Sequence, residues 1–314
     1  MSKTIEEFID GDKLTIKVLI HNVTRGVTNK GAPYLSFVLQ DKSGTMDAKF
    51  WNVNEEMLGV YKAGMLVEVN GDVLSHNKQL QFRIQSMNIL DRSSVDLRDY
   101  IKASPIPRAV LKEKIEEHIN SIKNDKIKTI VQALINEYET DFYAYPAASK
   151  NHHDFVGGLA THVLGMIELA KRICALYPLL NQDLLIGGVL VHDLGKLIEL
   201  SGPVITEYTL EGKLLGHISI MQAKLTSVAK EQKIEGEEVT LLRHMILSHH
   251  GVYEYGSPVL PMIPEAEILY FIDNMDARMN TMEKALNQVE PGEFTPRIFA
   301  LENRMFYKSK LVKE

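Results

Sequence analysis

His192 and Asp193 stand side by side in Val189-Leu-Val-His-Asp-Leu-Gly-Lys196, at the end of an otherwise apolar helical stretch. Burying an imidazole and a carboxylate without partners is costly. A divalent metal ion removes that cost, because it accepts both a neutral imidazole nitrogen and a carboxylate oxygen. It also brings chemistry, since water bound to such an ion becomes a nucleophile near neutral pH. The chain supplies further ligands: His162 in Gly157-Gly-Leu-Ala-Thr-His162, His217 in Leu215-Gly-His217, the pair His249-His250 in Leu247-Ser-His-His-Gly251, and Asp273 in Tyr270-Phe-Ile-Asp-Asn-Met-Asp276. Each sits on or beside a segment with helical apolar spacing. One histidine on an apolar helix is more often a satisfied core residue than a ligand. His21, His76, His118 and His244 are read as core or surface residues; it is the ordered set of the others that points to a metal centre.

Adjacent helical residues point about 100° apart, so His192 and Asp193 can share an ion only near a helix end, which Gly195 supplies. The two oxygens of Asp193 suit it to bridge two ions, an arrangement that clamps a phosphate and shares the attacking hydroxide. Nitrogen-plus-carboxylate ligands suit Mn or Fe, with Zn behind, whereas a pure Mg site would prefer oxygen throughout. Lys196 is the expected electrostatic stabiliser of phosphoryl oxygens, weighed against a solvated lysine at a helix end. His152 and His153 lie in a loop that ends in two glycines. His153 is expected to touch the scissile phosphate or protonate the leaving oxygen, against the blander reading of a solvated loop pair. Asp276 could orient a ligand histidine, and Arg278 could meet phosphate. Of the pair 249–250, His249 is the first choice of ligand, because it follows Leu242, Met245 and Ile246 on an inward face.

Composition bounds the rest. With 314 residues the chain can hold two domains, each with a core. No apolar run reaches a membrane span. The polar N-terminus, Met1-Ser-Lys-Thr-Ile-Glu-Glu-Phe8, is unlike a signal peptide. A single cysteine, Cys174, excludes an intrachain disulfide, and together these features lead us to expect a cytoplasmic protein. The net charge is −6, with 10 basic and 11 acidic residues before position 92 and 25 against 30 after it, so charge gives no support for indiscriminate nucleic-acid binding.

Four parts are expected: 1–91, 92–140 as linker and connecting helices, 141–290 carrying the metal motifs, and a tail at 291–314. Residues 13–90 read as five strands, with turns at Asn29–Pro33 and Asp41–Gly44, a short helix at Asn54–Tyr61 between the third and fourth strands, and a closing hairpin across His76-Asn77. That is the strand order of an OB-fold barrel. Such a barrel binds single strands by stacking bases on aromatics while basic side chains follow the phosphates. Tyr34, Lys49, Trp51, Phe82 and Arg83 are the expected contacts, against the alternative that the aromatics merely fill the barrel. Alternation places Tyr34 outside and Phe37 inside, and leaves at most one of Phe50 and Trp51 available to a base. The helices that position the metal motifs fall at roughly 157–177, 182–195, 217–233, 237–250 and 264–287. An alternating stretch, Val204–Lys213, reads as a small β-hairpin with a Glu211-Gly212 turn. The fold class is thus α+β, a five-stranded barrel before an all-α domain with a hairpin insertion. The aromatic tail and the barrel edges would serve self-association.

The order His, His-Asp, His, His, Asp resembles the HD superfamily of metal-dependent phosphohydrolases. Tyr34–Gly44 resembles the strand-turn-strand of nucleic-acid-binding OB domains. The combination, with Tyr145-Pro-Ala-Ala, Asn151-His-His, Gly157-Gly-Leu, His192-Asp-Leu-Gly-Lys, Gly212-Lys-Leu-Leu-Gly-His217 and Ser248-His-His-Gly, is similar to the YhaM family of bacterial 3′→5′ exoribonucleases over nearly the whole chain. The resemblance implies one ion held by His162, His192, Asp193 and Asp273, and a second held by Asp193, His217 and one or both of His249 and His250. It further implies hydrolysis of single-stranded RNA, and to some extent DNA, from the 3′ end to nucleoside 5′-monophosphates. Mn is the first metal expected, Fe or Co next, Zn behind. Two other classes stand beside this one. A hydrolase of small nucleotides would not need the barrel, and a non-catalytic nucleic-acid-binding protein would not need so many ligands.

Overall fold

Alternation in Pro33–Gln40 sends Leu35, Phe37 and Leu39 inward and leaves Tyr34, Ser36 and Val38 half-buried on the other face. The same period runs through Thr45–Trp51, where Met46, Ala48 and Phe50 are inward. In the computed structural model, which describes residues 3–28, 30–51, 53–76, 79–91, 100–147, 155–203 and 206–311, these strands build a closed barrel. Its strands are β1 (Lys13–Val27), β2 (Pro33–Gln40), β3 (Thr45–Trp51), β4 (Leu66–His76) and β5 (Gln79–Ile89), in the order β1-β2-β3-β5-β4. All neighbours are antiparallel except β3 and β5, which run parallel with Asp47–Phe50 against Gln81–Ile84 and close the barrel. Register slips between Ile20 and Asn22 and between Asn70 and Gly71 interrupt the ladders of the long strands β1 and β4, as barrel closure commonly requires. Closure gives every strand two neighbours. The helix expected at 54–61 is a single 3₁₀ turn, Met57–Gly59, which packs Met57 and Leu58 against the barrel core; eight residues are too few to sustain an α-helix on their own.

The chain divides into two compact units, residues 1–103 and 104–314. In the second, α1 (Arg108–Ser121), α2 (Asp125–Glu137), α3 (Glu139–Phe142), α4 (Gly158–Leu176), α5 (Gln182–Val191), α6 (Lys196–Glu199), α7 (Leu210–Glu231), α8 (Glu237–Ser248) and α9 (Pro264–Leu286) surround one core. α5 is its axis. Every residue from Leu184 to Val191 is buried, and α2, α4, α8 and α9 pack around it, as an all-apolar helix demands. Asn181 caps its N-terminus, accepting from the Leu184 N–H. Leu111, Ile115, Ile119, Ile127, Ile130, Val131 and Leu134 of α1 and α2, within the expected connecting helices, belong to the same core as the metal-motif helices.

The expected hairpin at 204–213 is corrected. Thr209 accepts from the Gly212 N–H and starts α7, so Glu211-Gly212 forms a helical turn rather than a β-turn. Among the described residues, the β pairing here shrinks to one bridge, Leu200 with Tyr208; Val204 and Ile205 lie outside them. The tail doubles back on itself through two bridges, Phe294 with Tyr307 and Ile298 with Arg304. Among the described residues no helix is long and apolar enough to cross a membrane.

Candidate metal centre and nucleic-acid face

Five helices converge on Asp193. α5 ends at Val191, and the turn that follows carries His192 and Asp193 into the interior, where His192 is fully buried and Asp193 nearly so. α4 brings His162, the C-terminus of α8 brings His249 and His250, and α9 brings Asp273 and Asp276. His217 arrives differently. Gly216 breaks α7 with φ 70° and ψ 152°, a conformation that L side chains rarely adopt, and the helix after the break starts at the ligand. Gly195 permits the approach: a Cβ there would lie 2.2 Å from the His217 carbonyl oxygen.

Asp193 faces two groups at once. Its Oδ2 lies 3.4 Å from His192 Nε2 and 3.9 Å from His162 Nε2. Its Oδ1 lies 3.6 Å from His217 Nε2 and 3.7 Å from His249 Nε2. His162, His192 and Asp193 form one triad and His217, His249 and His250 another, each with ligand atoms within 4.8 Å of one another. Asp273 joins the first side, with Oδ1 3.3 Å from His162 Nε2. The centre therefore brings together all seven sequence-expected ligands.

The opposite ring nitrogens are spoken for. Nδ1–H donates to the Val189 carbonyl in His192, to Ile246 in His249 and to Tyr255 in His250, at 2.8, 2.8 and 2.6 Å. In His162 it donates to Asp276 at 2.6 Å, the orienting role expected of that carboxylate, and in His217 to Glu199 at 3.1 Å. In His192, His217, His249 and His250 the bond fixes the tautomer and turns a bare Nε2 lone pair toward the centre, while in His162 it orients the ring. Glu199 was not among the sequence-expected residues. Its signal was available: a glutamate in Leu197-Ile-Glu-Leu200 is as anomalous in apolar surroundings as His192-Asp193.

Buried atoms test whether an ion fits. Nε2 of His192, His217 and His249 and Oδ1 of Asp193 are buried and have no hydrogen-bond partner. Each such atom costs about 1–3 kcal/mol, and all four converge on one place. Ligands of one ion sit up to roughly 4.2 Å apart at metal–ligand distances near 2.1 Å, so each triad needs only a slight contraction. Electrostatics agree. Burial pushes His249 well below its ordinary pKa, and the neighbouring His250 and His192 add to this, which keeps it neutral and able to ligate. Burial also lowers His250. Burial alone would raise Asp193, but Lys196 and His192 beside it hold it far below the usual carboxylate range. Burial would likewise lower His162, yet Asp273 and Asp276 bonded to its two nitrogens push it up to about 9. Lys196 Nζ donates to Asp193 Oδ2 at 2.6 Å, and this carboxylate, with Asp273 behind it, keeps the ammonium charged against burial. His152 and His153 lie outside the described residues. Arg278 is held by Glu302 through two hydrogen bonds of 2.7 and 2.8 Å, so the structure gives its guanidinium to a carboxylate. His244 accepts from the Met262 N–H at 2.9 Å, a structural bond.

On the barrel, cross-strand register gathers most of the candidate nucleic-acid contacts. Tyr34 pairs with Trp51 and Ser36 with Lys49 between β2 and β3, and Lys49 pairs with Arg83 between β3 and β5. The Tyr34 and Trp51 rings lie 4.7 Å apart, with Lys49 Nζ 5.0 Å from the Tyr34 centroid and bonded to Ser36. Trp51 is 40% exposed, whereas Phe50 is buried. Arg83 is half-exposed and donates to Asp72 at 2.5 Å. Phe82 is corrected. It is fully buried, because its alternate position points it into the barrel, and no base can reach it.

Barrel and centre together define the class: a metal-dependent hydrolase built on an HD domain, which the family model matches at residues 159–278, preceded by an OB-fold nucleic acid binding domain, matched at residues 14–90. The 3′-5′ exoribonuclease YhaM of Geobacillus sp. (strain WCH70) is 48% identical over 309 residues, covering 98% of this chain and 95% of that protein. The chain belongs to the YhaM family. Among solved structures, the second OB-fold domain of replication protein A from Methanococcus maripaludis is 22% identical with a TM-score of 0.25, covering 29% of this chain and 97% of that one. The mitochondrial single-stranded DNA binding protein Rim1 from S. cerevisiae is 18% identical with a TM-score of 0.23, covering 26% and 97%.

Proposed function

We propose that this chain is a metal-dependent 3′→5′ exoribonuclease that hydrolyses single-stranded RNA, and to some extent DNA, to nucleoside 5′-monophosphates. The observation that carries the reading is the extent of the likeness to the Geobacillus exoribonuclease, which spans both domains and nearly the full length of both chains. The two triads on either side of Asp193 support two ions, with His162, His192 and Asp273 on one side, His217, His249 and His250 on the other, and Asp193 between them. Mn suits these imidazole and carboxylate donors best, ahead of Fe or Co. Bound there, divalent ions supply an activated water and neutralise charge on the phosphodiester.

The chain's own groups do the rest. Tyr34 and Trp51 offer base-stacking surfaces, and Lys49 and Arg83 meet the backbone phosphates. Lys196 places a buried ammonium beside Asp193, where a phosphoryl oxygen at the centre would meet a cation without solvent screening. The carboxylates of Asp276 and Glu199 hold two of the ligand rings in place. His153 remains the proposed proton donor to the leaving oxygen. The single cysteine and the RNA substrate fit the cytoplasm, and the exposed tail side chains Phe294, Phe299 and Leu311 support self-association.

The test is an RNA labelled at its 5′ end, incubated with the protein and Mn or with Mn and chelator. A ladder that shortens from the 3′ end with Mn alone is expected. Intact RNA in both tubes, with hydrolysis of free nucleotides instead, would overturn the reading.

A further inference from the structure

The five histidines at the centre are anchored in two ways. His192, His249 and His250 donate Nδ1–H to backbone carbonyls of Val189, Ile246 and Tyr255, which no substitution removes. His162 and His217 depend on side chains, Asp276 and Glu199. There is thus one removable anchor on each side of Asp193. We infer that Glu199 is the positioning residue of the second ion: it sets His217 at the site shared with His249 and His250, and its loss empties that site while sparing the other. The inference rests on the two-ion reading above.

Glu199 is built for the task. It is buried, and its Oε1 accepts both the backbone N–H and the Nδ1–H of His217, each at 3.1 Å. One carboxylate oxygen therefore fixes the residue's main chain and its ring together. The main chain on both sides of this contact is also fixed. Thr209 N–H donates to the Glu199 carbonyl at 2.9 Å, and Thr209 Oγ1 donates to the Ile198 carbonyl at 2.9 Å, so the cap of α7 ties that helix to α6. On the other partner, Gly195 lies against the His217 carbonyl. His217 follows the break at Gly216, so its ring is set where the helix changes direction. The His217 N–H, an orphan donor at a helix start, has the Glu199 carboxylate as its acceptor. The carboxylate–histidine pair also raises the basicity of the ring toward a metal, and removing such a partner weakens metal binding about 10–100-fold.

The experiment titrates Mn into the metal-free full-length protein and reads stoichiometry and affinity by calorimetry, with total Mn checked by mass spectrometry. Wild type, Glu199→Gln, Glu199→Leu and Asp276→Asn are compared. Wild type is expected to bind two equivalents. Glu199→Gln keeps an acceptor for both N–H groups and should retain two, the second weakened about tenfold. Glu199→Leu should lose one equivalent and keep the other at wild-type affinity, while Asp276→Asn should weaken the equivalent that Glu199→Leu keeps. ¹⁵N shifts of the His217 ring in the metal-free protein should show a fixed Nδ1–H tautomer in wild type and Gln, and tautomer exchange in Leu. Two normal equivalents in Glu199→Leu would overturn the inference and leave the two-ion reading standing. Loss of both equivalents in a Glu199→Leu protein that melts like wild type would overturn it too, since Glu199 would then serve the whole centre. A wild type that binds a single equivalent would overturn the two-ion reading and the inference with it.

Discussion

Replacing Asp193 with asparagine removes the one group that faces both triads. Oδ2 is 3.4 Å from His192 and Oδ1 is 3.6 Å from His217, so an amide there takes an anionic ligand from each ion and places an N–H₂ against one set of imidazoles. Losing Lewis-acid help worth several kcal/mol, at a tenfold rate for each ~1.4 kcal/mol, predicts a fall in kcat/KM of at least about 10³. Stability changes as well. Lys196 and Asp193 are ion-paired at 2.6 Å with side chains 13% and 3% exposed, and breaking such a pair costs about 3–5 kcal/mol when the remaining charge has no partner. Here the cost falls below that range, because Asp273 still faces Lys196. The barrel is untouched, so RNA affinity measured by fluorescence anisotropy in the presence of chelator should stay within about threefold of wild type, the face being sequence-tolerant and electrostatic. The assay pairs turnover of 5′-labelled RNA in Mn with metal content, melting temperature and anisotropy on the same preparation. A folded Asp193→Asn protein with full metal content and more than a tenth of wild-type kcat/KM would refute the claim that this carboxylate joins the two sides.

Trp51→Ala combined with Tyr34→Ala should weaken RNA binding about 5–150-fold for each base stacked there, since each stacked base contributes roughly 1–3 kcal/mol; an unchanged Kd would move the binding face elsewhere on the barrel. Phe82→Ala should do the reverse, costing about 3–5 kcal/mol of stability through a core cavity while the folded fraction binds RNA normally, which denaturant titration and anisotropy together would check. Chelation should lower the melting temperature, and Mn at about 100 times its Kd should restore roughly 2.7 kcal/mol; a melting curve indifferent to Mn would speak against the centre. The Arg278–Glu302 pair predicts an acid-side effect. Hydrogen bonding to Arg278, together with the charges of Arg278 and Arg304, holds Glu302 down at about 2. The folded value lies below the unfolded one, so the contribution is complete above about pH 4.5 and is lost as pH falls toward 2. Arg278→Ala should therefore narrow its melting-temperature gap from wild type between pH 5 and 3, and a constant gap would count against the pairing.

The candidate metal ligands stood out in the sequence because burial makes polar residues conspicuous. His162, His192, Asp193, His217, His249, His250 and Asp273 interrupt apolar helices, and the fold brings them together. The barrel order was legible for a similar reason, since a period of two is hard to mistake. What failed was local. Glu211-Gly212 is good turn chemistry, but Thr209 two residues earlier is a better helix cap, and the cap won. Phe82 was expected at the surface although its neighbours Gln81 and Arg83 occupy the outward positions of β5; consistent use of alternation would have placed it inside. Glu199 stood out as a glutamate among apolar residues, but its role escaped because its partner is 18 residues away, just past a break in α7, and no period or motif couples the two positions. The inclusion of α1 and α2 in the helical core was hidden for a different reason: amphipathic helices look alike whether they bridge two units or complete one.

The centre's charges explain why these positions must be filled together. Asp193 is a buried carboxylate and Asp273 a half-buried one, and without ions Lys196 is the formal cation set against them, with His162 protonated between Asp273 and Asp276. His249 is held neutral by burial and has no partner for Nε2, so it contributes nothing to that balance and gains only when an ion arrives. Orphaned nitrogens stand on both sides of Asp193, Nε2 of His192 on one side and Nε2 of His217 and His249 on the other. A divalent ion at either triad would therefore relieve buried lone pairs while adding the positive charge that the carboxylates of Asp193 and Asp273 call for.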